Sequence, residues 1–369
     1  MKKVGIITMH KVLNYGSALQ AYALQTVINK LGHNAEIIDY IYPNEYHKKN
    51  VSQPNGWILL IKTIIDFLRG FPKKRKELSF KKFYKEQFKL SKTYNSMEEL
   101  KNDPPVYDVY MTGSDQVWNP NSIHEDTSFM LSFTDSPNKV AFSASFAKGV
   151  IPEKYKTLYA AELSKYKQIY MREKGGSKII KELIGVDSEV VFDPTLLLDK
   201  NEWKVIADKS NIKINKPYIL VYVLGYMFNV YPYIYDLIKY IQQQFDMHLI
   251  VLNMSNKYSC KLSNKTIIRD ASIYDFVKLF SDASLVITDS FHGTAFSLNL
   301  NIPFYSVVND VEKADSRIVD ILNMTNESTR AIKNGSDYTK IGFSLKTPNN
   351  TLVDKLRHES VNKLKSILN

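Results

Sequence analysis

A histidine that follows an apolar run and precedes a helix is well placed for acid–base chemistry, and this chain has one at His292. Residues 285–287 (Leu-Val-Ile) read as a buried strand. A polar knot follows directly, Thr288-Asp289-Ser290-Phe291-His292-Gly293, then a helix over 294–300 and a further strand opening at Ile302-Pro303-Phe304. A strand, a tight turn and a helix start is how open α/β sheets build ligand sites. The turn lies at the strand's carboxyl end, and N–H groups at the helix start attract anions. A proton-exchanging side chain beside such a site points to chemistry on a phosphate or carboxylate ester. His292 is therefore a candidate general acid/base, against the plainer reading of a histidine that only shapes its loop. Ser290 could donate to a bound anion, and would serve equally as a helix cap.

The elements that must position this turn form two series of alternating strands and helices. A strand over 4–9, a loop with Asn14-Tyr15-Gly16-Ser17 as its turn, a helix over 18–31 ended by Gly32 and a strand over 35–40 make a βαβ unit. The loop lacks a dinucleotide fingerprint, since Gly5 and Gly16 stand too far apart and no third glycine follows. Strands over 107–112, 139–146, 168–171 and 189–192, with helices over 153–165 and 177–183, carry the first half to Asp193-Pro194-Thr195. A polar helical stretch at 199–215 marks the boundary. Residues 218–224 then form an apolar run typical of a central parallel strand, followed by helix 232–245, strand 248–253, helix 272–281 and the histidine turn. The expected fold class is α/β, with two Rossmann-like domains (1–200 and 201–345) facing across a cleft. An amphipathic helix within 346–369 should pack back.

Composition narrows the function. The chain has 369 residues, 44% hydrophobic and 24% charged, as in a soluble globular protein. Its single cysteine, Cys260, excludes an internal disulfide framework and a Cys-based zinc site, and fits a reducing cytoplasm. No metal-ligand spacing is visible. No apolar stretch approaches the roughly 18 residues that span a bilayer, and the N-terminus reads as a first strand. The net charge of +11 is concentrated in residues 43–92, where thirteen Lys/Arg face four acids. A nucleic-acid-binding protein would spread that charge along a groove. Here it reads as one basic insertion, and no nucleic-acid partner is expected.

Five landmarks in order resemble the polysaccharide pyruvyl transferase family, over about residues 4–325. They are Asn14-Tyr15-Gly16-Ser17 with Leu19-Gln20, and Gly113-Ser114-Asp115-Gln116 with Trp118-Asn119. Then come Arg172-Glu173 with Ser177, Asp193-Pro194, and Asp289-Ser290-Phe291-His292-Gly293. The resemblance implies a fold like the glycosyltransferase B type, and transfer of the enolpyruvyl unit of phosphoenolpyruvate to sugar hydroxyls, giving a pyruvate ketal and phosphate. That chemistry needs proton donors and acceptors, and cationic or N–H anchors for the donor's carboxylate and phosphate. It needs no cofactor or metal. His292 and Asp115 are then the candidate catalytic pair, Asp115 having an Asx turn or cap as its plainer reading. Ser290, Gly293 and Arg317 of the second domain, the expected donor side, and Arg172 from the first are candidates for the donor. Arg317 would compensate for Ser290, which stands where family members often carry an arginine. Asn14, Gly16 and Gln20 are candidates for the acceptor on the first domain, with Gly16 serving the turn. Asp193-Pro194 reads as a structural strand-end turn.

The basic segment supports two readings. Trp57, Leu60, Ile61, Ile64, Ile65, Leu68 and Phe71 follow helical spacing, and Lys73-Lys74-Arg75-Lys76 comes next. Residues 57–76 could rest on an anionic bilayer at the inner face of the membrane, where a lipid-linked glycan acceptor would give the contact a purpose. Alternatively the apolar face packs on its own domain. A nucleotide-sugar glycosyltransferase or a non-catalytic glycan-binding relative on the same scaffold is the rival reading of the whole chain.

Overall fold

The computed structural model describes residues 1–48, 61, 64, 67, 70–147, 149–311 and 317–369. They form two compact units, Met1–Leu197 with Leu356–Asn369, and Leu198–Lys355. In the first unit the strands are β1 (Lys3–Ile7), β2 (Asn34–Tyr40), β3 (Leu90–Tyr94), β4 (Val109–Thr112), β5 (Lys139–Ala144), β6 (Gln168–Met171) and β7 (Glu189–Val190). They make a seven-stranded parallel sheet in the order β3-β2-β1-β4-β5-β6-β7. The central strands β1, β4 and β5 are apolar runs buried almost throughout, as a parallel sheet covered on both faces requires.

Helix α1 (Tyr15–Lys30) begins earlier than its apolar pattern suggests. Asn14 takes an extended backbone, and its side-chain oxygen accepts from Gly16 N at 2.9 Å and Ser17 N at 3.4 Å. This N-cap pulls the expected 14–17 turn into the first helical turn. Gly16 is therefore a helical residue and is not among the glycines with positive φ, which corrects its reading as a turn glycine.

Residues 43–92 also differ from the expected insertion. Among them are α2 (Pro72–Gln87), which leads into β3. Phe80 and Phe83 of α2 are buried against Tyr15 and Tyr22 of α1, with ring centroids 5.1 and 5.8 Å apart. Helix α2 thus leads to an edge strand, with Lys73, Lys74, Lys81, Lys82 and Lys85 exposed and Lys76 folded over the Tyr15 ring at 4.2 Å. Most of the apolar stretch at 57–69 lies outside the described residues.

The second unit holds β8 (Tyr218–Tyr222), β9 (His248–Asn253), β10 (Lys265–Ile267), β11 (Leu285–Thr288), β12 (Phe304–Val308) and β13 (Ala331–Lys333) in the parallel order β10-β9-β8-β11-β12-β13. Two α/β units with this topology are Rossmann-like. The final helix, Asn350–Leu368, returns to the first unit from Leu356 onward. There Arg357 Nε donates to Leu196 O at 2.7 Å, and Ser360 Oγ accepts from Phe192 N at 3.0 Å.

Candidate functional site

Each sheet reverses its strand order once, between β1 and β4 in the first unit and between β8 and β11 in the second. At such a switch point neighbouring loops diverge and open a crevice at the strands' carboxyl ends. Both units carry buried polar side chains there.

In the second unit, Thr288 closes β11 by donating to Tyr222 O of β8 at 2.7 Å and accepting from Ser290 N at 3.0 Å. Asp289 reaches back to the end of β8 and accepts from Leu224 N at 2.6 Å and Gly225 N at 2.7 Å. Burial pushes its carboxyl up, against the pull of those two donors. Ser290 caps the helix Phe291–Asn299 (α3), its Oγ accepting from Gly293 N at 3.4 Å. The helix therefore starts at Phe291 and not at 294, because a serine cap outweighs the polar character of the residues after it. His292 lies in its first turn, 7% exposed. Gly293 packs so close to β11 that a Cβ there would overlap Thr288 Oγ1, so the site requires glycine. Arg317 opens the helix Arg317–Met324 (α4), with its guanidinium 5.8 Å from the centre of the Phe291 ring and 4.0 Å from Met227 Sδ. Ser290, His292, Gly293 and Arg317 thus gather around one turn.

In the first unit, Arg172 follows β6 and is only 4% exposed. Its Nη1 donates to Asp193 Oδ2 at 3.1 Å and Ser114 Oγ at 3.4 Å. Asp115 lies 3.9 Å and Glu173 3.8 Å from its other nitrogens. Burial opposes the guanidinium's charge, but Asp193, Asp115 and Glu173 together outweigh it and push its pKa up. A buried charge has to be paired, and this one is paired within the unit. Arg172 thus stands among three carboxylates of its own unit.

Asp115 itself has a left-handed backbone at φ 78°, and Ser143 on the neighbouring strand has φ 61°. Each costs roughly 1–2 kcal/mol for a residue other than glycine, the kind of strain that accumulates at functional sites. Ser17 Oγ donates to Asp115 Oδ2 at 2.5 Å and Gln116 N to Oδ1 at 2.9 Å. Ser114 Oγ donates to Asp193 Oδ2 at 2.7 Å, and Glu173 Oε1 accepts from Ser145 Oγ at 2.9 Å and Phe146 N at 3.2 Å. Of the acceptor candidates, Asn14 is engaged as the α1 cap. Gln20 is fully buried, donating to Thr8 Oγ1 at 2.8 Å and Ser17 O at 3.0 Å. Both hold the loop that carries Ser17 to Asp115. Sequence reasoning missed Ser17, Ser114 and Glu173 as site members and kept Asp193 as a bare turn. The available signal was position: Ser114, Glu173 and Asp193 each lie just past a strand end.

The sequence profile of the polysaccharide pyruvyl transferase family matches residues 14–311. Among curated proteins no sequence matches. Solved structures similar to the chain include a UDP-GlcNAc 2-epimerase from Methanocaldococcus jannaschii, 13% identical, covering 97% of this chain and 99% of that one at a TM-score of 0.49. The UDP-GlcNAc 2-epimerase from Neisseria meningitidis bound to UDP-GlcNAc is 12% identical, covering 98% and 100% at 0.48. A glycosyltransferase from Rickettsia africae is 11% identical, covering 98% and 93% at 0.39. At such identities nothing of their ligands or reactions passes to this chain.

Proposed function

Because the chain belongs to the polysaccharide pyruvyl transferase family, we propose that its pyruvyl transfer, from phosphoenolpyruvate to a sugar, serves bacterial surface-polysaccharide assembly and uses His292 and Asp115. His292 protonates the methylene carbon of the donor, leaving an oxocarbenium-like centre on the next carbon. A sugar hydroxyl attacks that centre and gives up its proton to Asp115. Phosphate leaves, and a second hydroxyl closes the ketal. Of the two hydroxyl protons, one balances the hydrogen in the new methyl group and the other departs with phosphate.

The observation that carries this reading is the first turn of α3, where His292 stands at a helix N-terminus directly after Phe291, whose ring centre lies 5.8 Å from the Arg317 guanidinium. Proton donor, N–H dipoles and cation are what an anionic enol ester requires. Charge supports assigning the acceptor to the first unit. Three carboxylates against one guanidinium favour a neutral polyol over a donor that carries both phosphate and carboxylate. Arg172, Asn14 and Gln20 then act by positioning Asp115 and its loop.

The test is phosphate release from phosphoenolpyruvate with acid-depyruvylated polysaccharides as acceptors. His292→Ala should lower kcat by about 100-fold or more. Arg317→Ala should raise the KM for phosphoenolpyruvate about tenfold. A His292→Ala protein at full rate would remove that residue from the scheme.

The reading extends to the inner face of the membrane. Among the described residues no helix is long and apolar enough to cross a bilayer. Peripheral contact is supported by Ile61, Ile64, Phe67 and Phe71, exposed at 54, 49, 63 and 41%, ahead of the exposed Lys73-Lys74-Arg75. A lipid-linked acceptor would be met there. The exposed free thiol of Cys260 suits a reducing cytoplasm.

A further inference from the structure

The carboxyl edge of the first unit's sheet holds a second crevice, where β2 and β3 end. It is a pocket of about 380 Å³, within the size range of small-molecule sites. Glu45, Tyr46, Lys48, Asn95 and Glu99 line it as exposed side chains, and buried Asn44 forms part of its floor.

Both walls are fixed from behind. Asn44 Nδ2 donates to the Tyr40 hydroxyl at 2.9 Å, and that hydroxyl donates to Asp126 at 2.6 Å. His47 is 3.1 Å from the same carboxylate. Asn44 Oδ1 accepts from Tyr46 N at 3.1 Å, and the Tyr46 hydroxyl accepts from Glu125 N at 3.3 Å. Opposite, Glu99 Oε2 accepts from Asn95 N at 2.7 Å and from its side-chain amide at 3.2 Å.

The lining offers carboxylate and amide oxygens to accept from hydroxyls, and a lysine and amides to donate. The phenol ring of Tyr46, 40% exposed, adds a flat apolar surface with a polar tip. Among the described lining residues an anionic ligand would face Glu45 and Glu99 with Lys48 as the one cation, which disfavours a phosphate-bearing molecule. Tyr42 belongs to the same segment after β2 that supplies Ile41, Asn44, Glu45, Tyr46 and Lys48 to the pocket. Its hydroxyl donates to Ser122 O at 3.1 Å. Burial, and beyond it the charges of Asp115 and Asp126, push its phenol up. The pocket residues follow the carboxyl ends of β2 and β3 and Asp115 follows that of β4, so the pocket and Asp115 share one edge of one parallel sheet.

We propose that this pocket is a subsite for an uncharged sugar ring of the acceptor, next to the ring that receives pyruvate. The proposal rests on the glycan acceptor assigned above. Saturation-transfer NMR on the full chain tests it with lactose, cellobiose and N,N′-diacetylchitobiose as probes and UDP as the anionic competitor. At least one disaccharide should bind. Tyr46→Ala and Glu99→Gln should each weaken it about tenfold, the loss of one good contact, with thermal midpoints unchanged. No binding by any probe, binding by both variants as tight as by the wild type, or displacement by UDP would overturn the subsite. The assay contains no phosphoenolpyruvate, so its outcome separates from that of the reaction. A protein that binds a disaccharide here yet releases no phosphate from phosphoenolpyruvate would sink the reaction and keep the pocket.

Discussion

A guanidinium only 4% exposed cannot wait for a ligand to supply its counter-charge, and Arg172 meets Asp193, Asp115 and Glu173 in the folded chain. Arg172→Gln should therefore cost about 3–5 kcal/mol of stability by leaving buried carboxylates unanswered. It should lower kcat through Asp115 while the KM for phosphoenolpyruvate holds. A donor anchor would show the opposite pattern, a raised KM with little loss of stability, in the same urea-unfolding and steady-state measurements. Asp39 makes a second prediction. Burial pushes its carboxyl up, but His10 at 2.9 Å, Lys11 at 2.6 Å and Thr93 at 2.6 Å hold it well below the usual carboxylate range. A carboxyl lowered by folding stabilises the native state above its unfolded pKa of about 4, and that stability is lost as pH falls toward the folded value. Urea stability should therefore drop as pH falls below about 5. Asp39→Asn should be less stable at neutral pH and flatter over the acid limb. An unchanged acid limb in the variant would rule out this account of Asp39.

At the scale of elements, the cap decides where His292 stands. Ser290→Ala should cost about 1 kcal/mol, read as a lower unfolding midpoint, and should also reduce kcat by letting the first turn of α3 fray. A variant that loses stability and keeps full rate would separate the cap from the chemistry. The sequence made the strand before this turn legible, because 285–287 is apolar and ends abruptly in polar residues. The helix start was less legible, since capping depends on the side-chain conformation of Ser290 and not on hydrophobic periodicity. Asn14 and α1 repeat the same lesson. The short edge strands β3, β10 and β13 escaped notice because an edge strand buries little and needs no apolar run: β3 reads Leu-Ser-Lys-Thr-Tyr and β10 Lys-Thr-Ile. The Arg172 cluster was half visible, as residues past strand ends, but which carboxylate meets which cation depends on strand order.

For the molecule as a whole, the uneven charge is the sequence feature the fold explains in part. Within residues 43–92, α2 packs on the first unit and β3 joins its sheet. Their exposed lysines and apolar side chains are left for a surface. Wild-type protein should float with liposomes that contain anionic lipid and stay behind with neutral ones. A Phe67→Ser/Lys73→Gln/Lys74→Gln/Arg75→Gln variant should lose flotation while its turnover of soluble acceptors stays constant. Equal flotation of both proteins would remove the membrane contact. The central claim, that His292 delivers a proton to the donor's methylene carbon during ketal formation, is tested most directly by running the reaction in D₂O. The acceptor is an acid-depyruvylated polysaccharide, and the product is read by NMR. The account predicts phosphate release matched by a pyruvate ketal whose methyl group carries one deuterium, with both lost in His292→Ala. Phosphate release without a ketal, or a ketal formed at full rate by the variant, would contradict it.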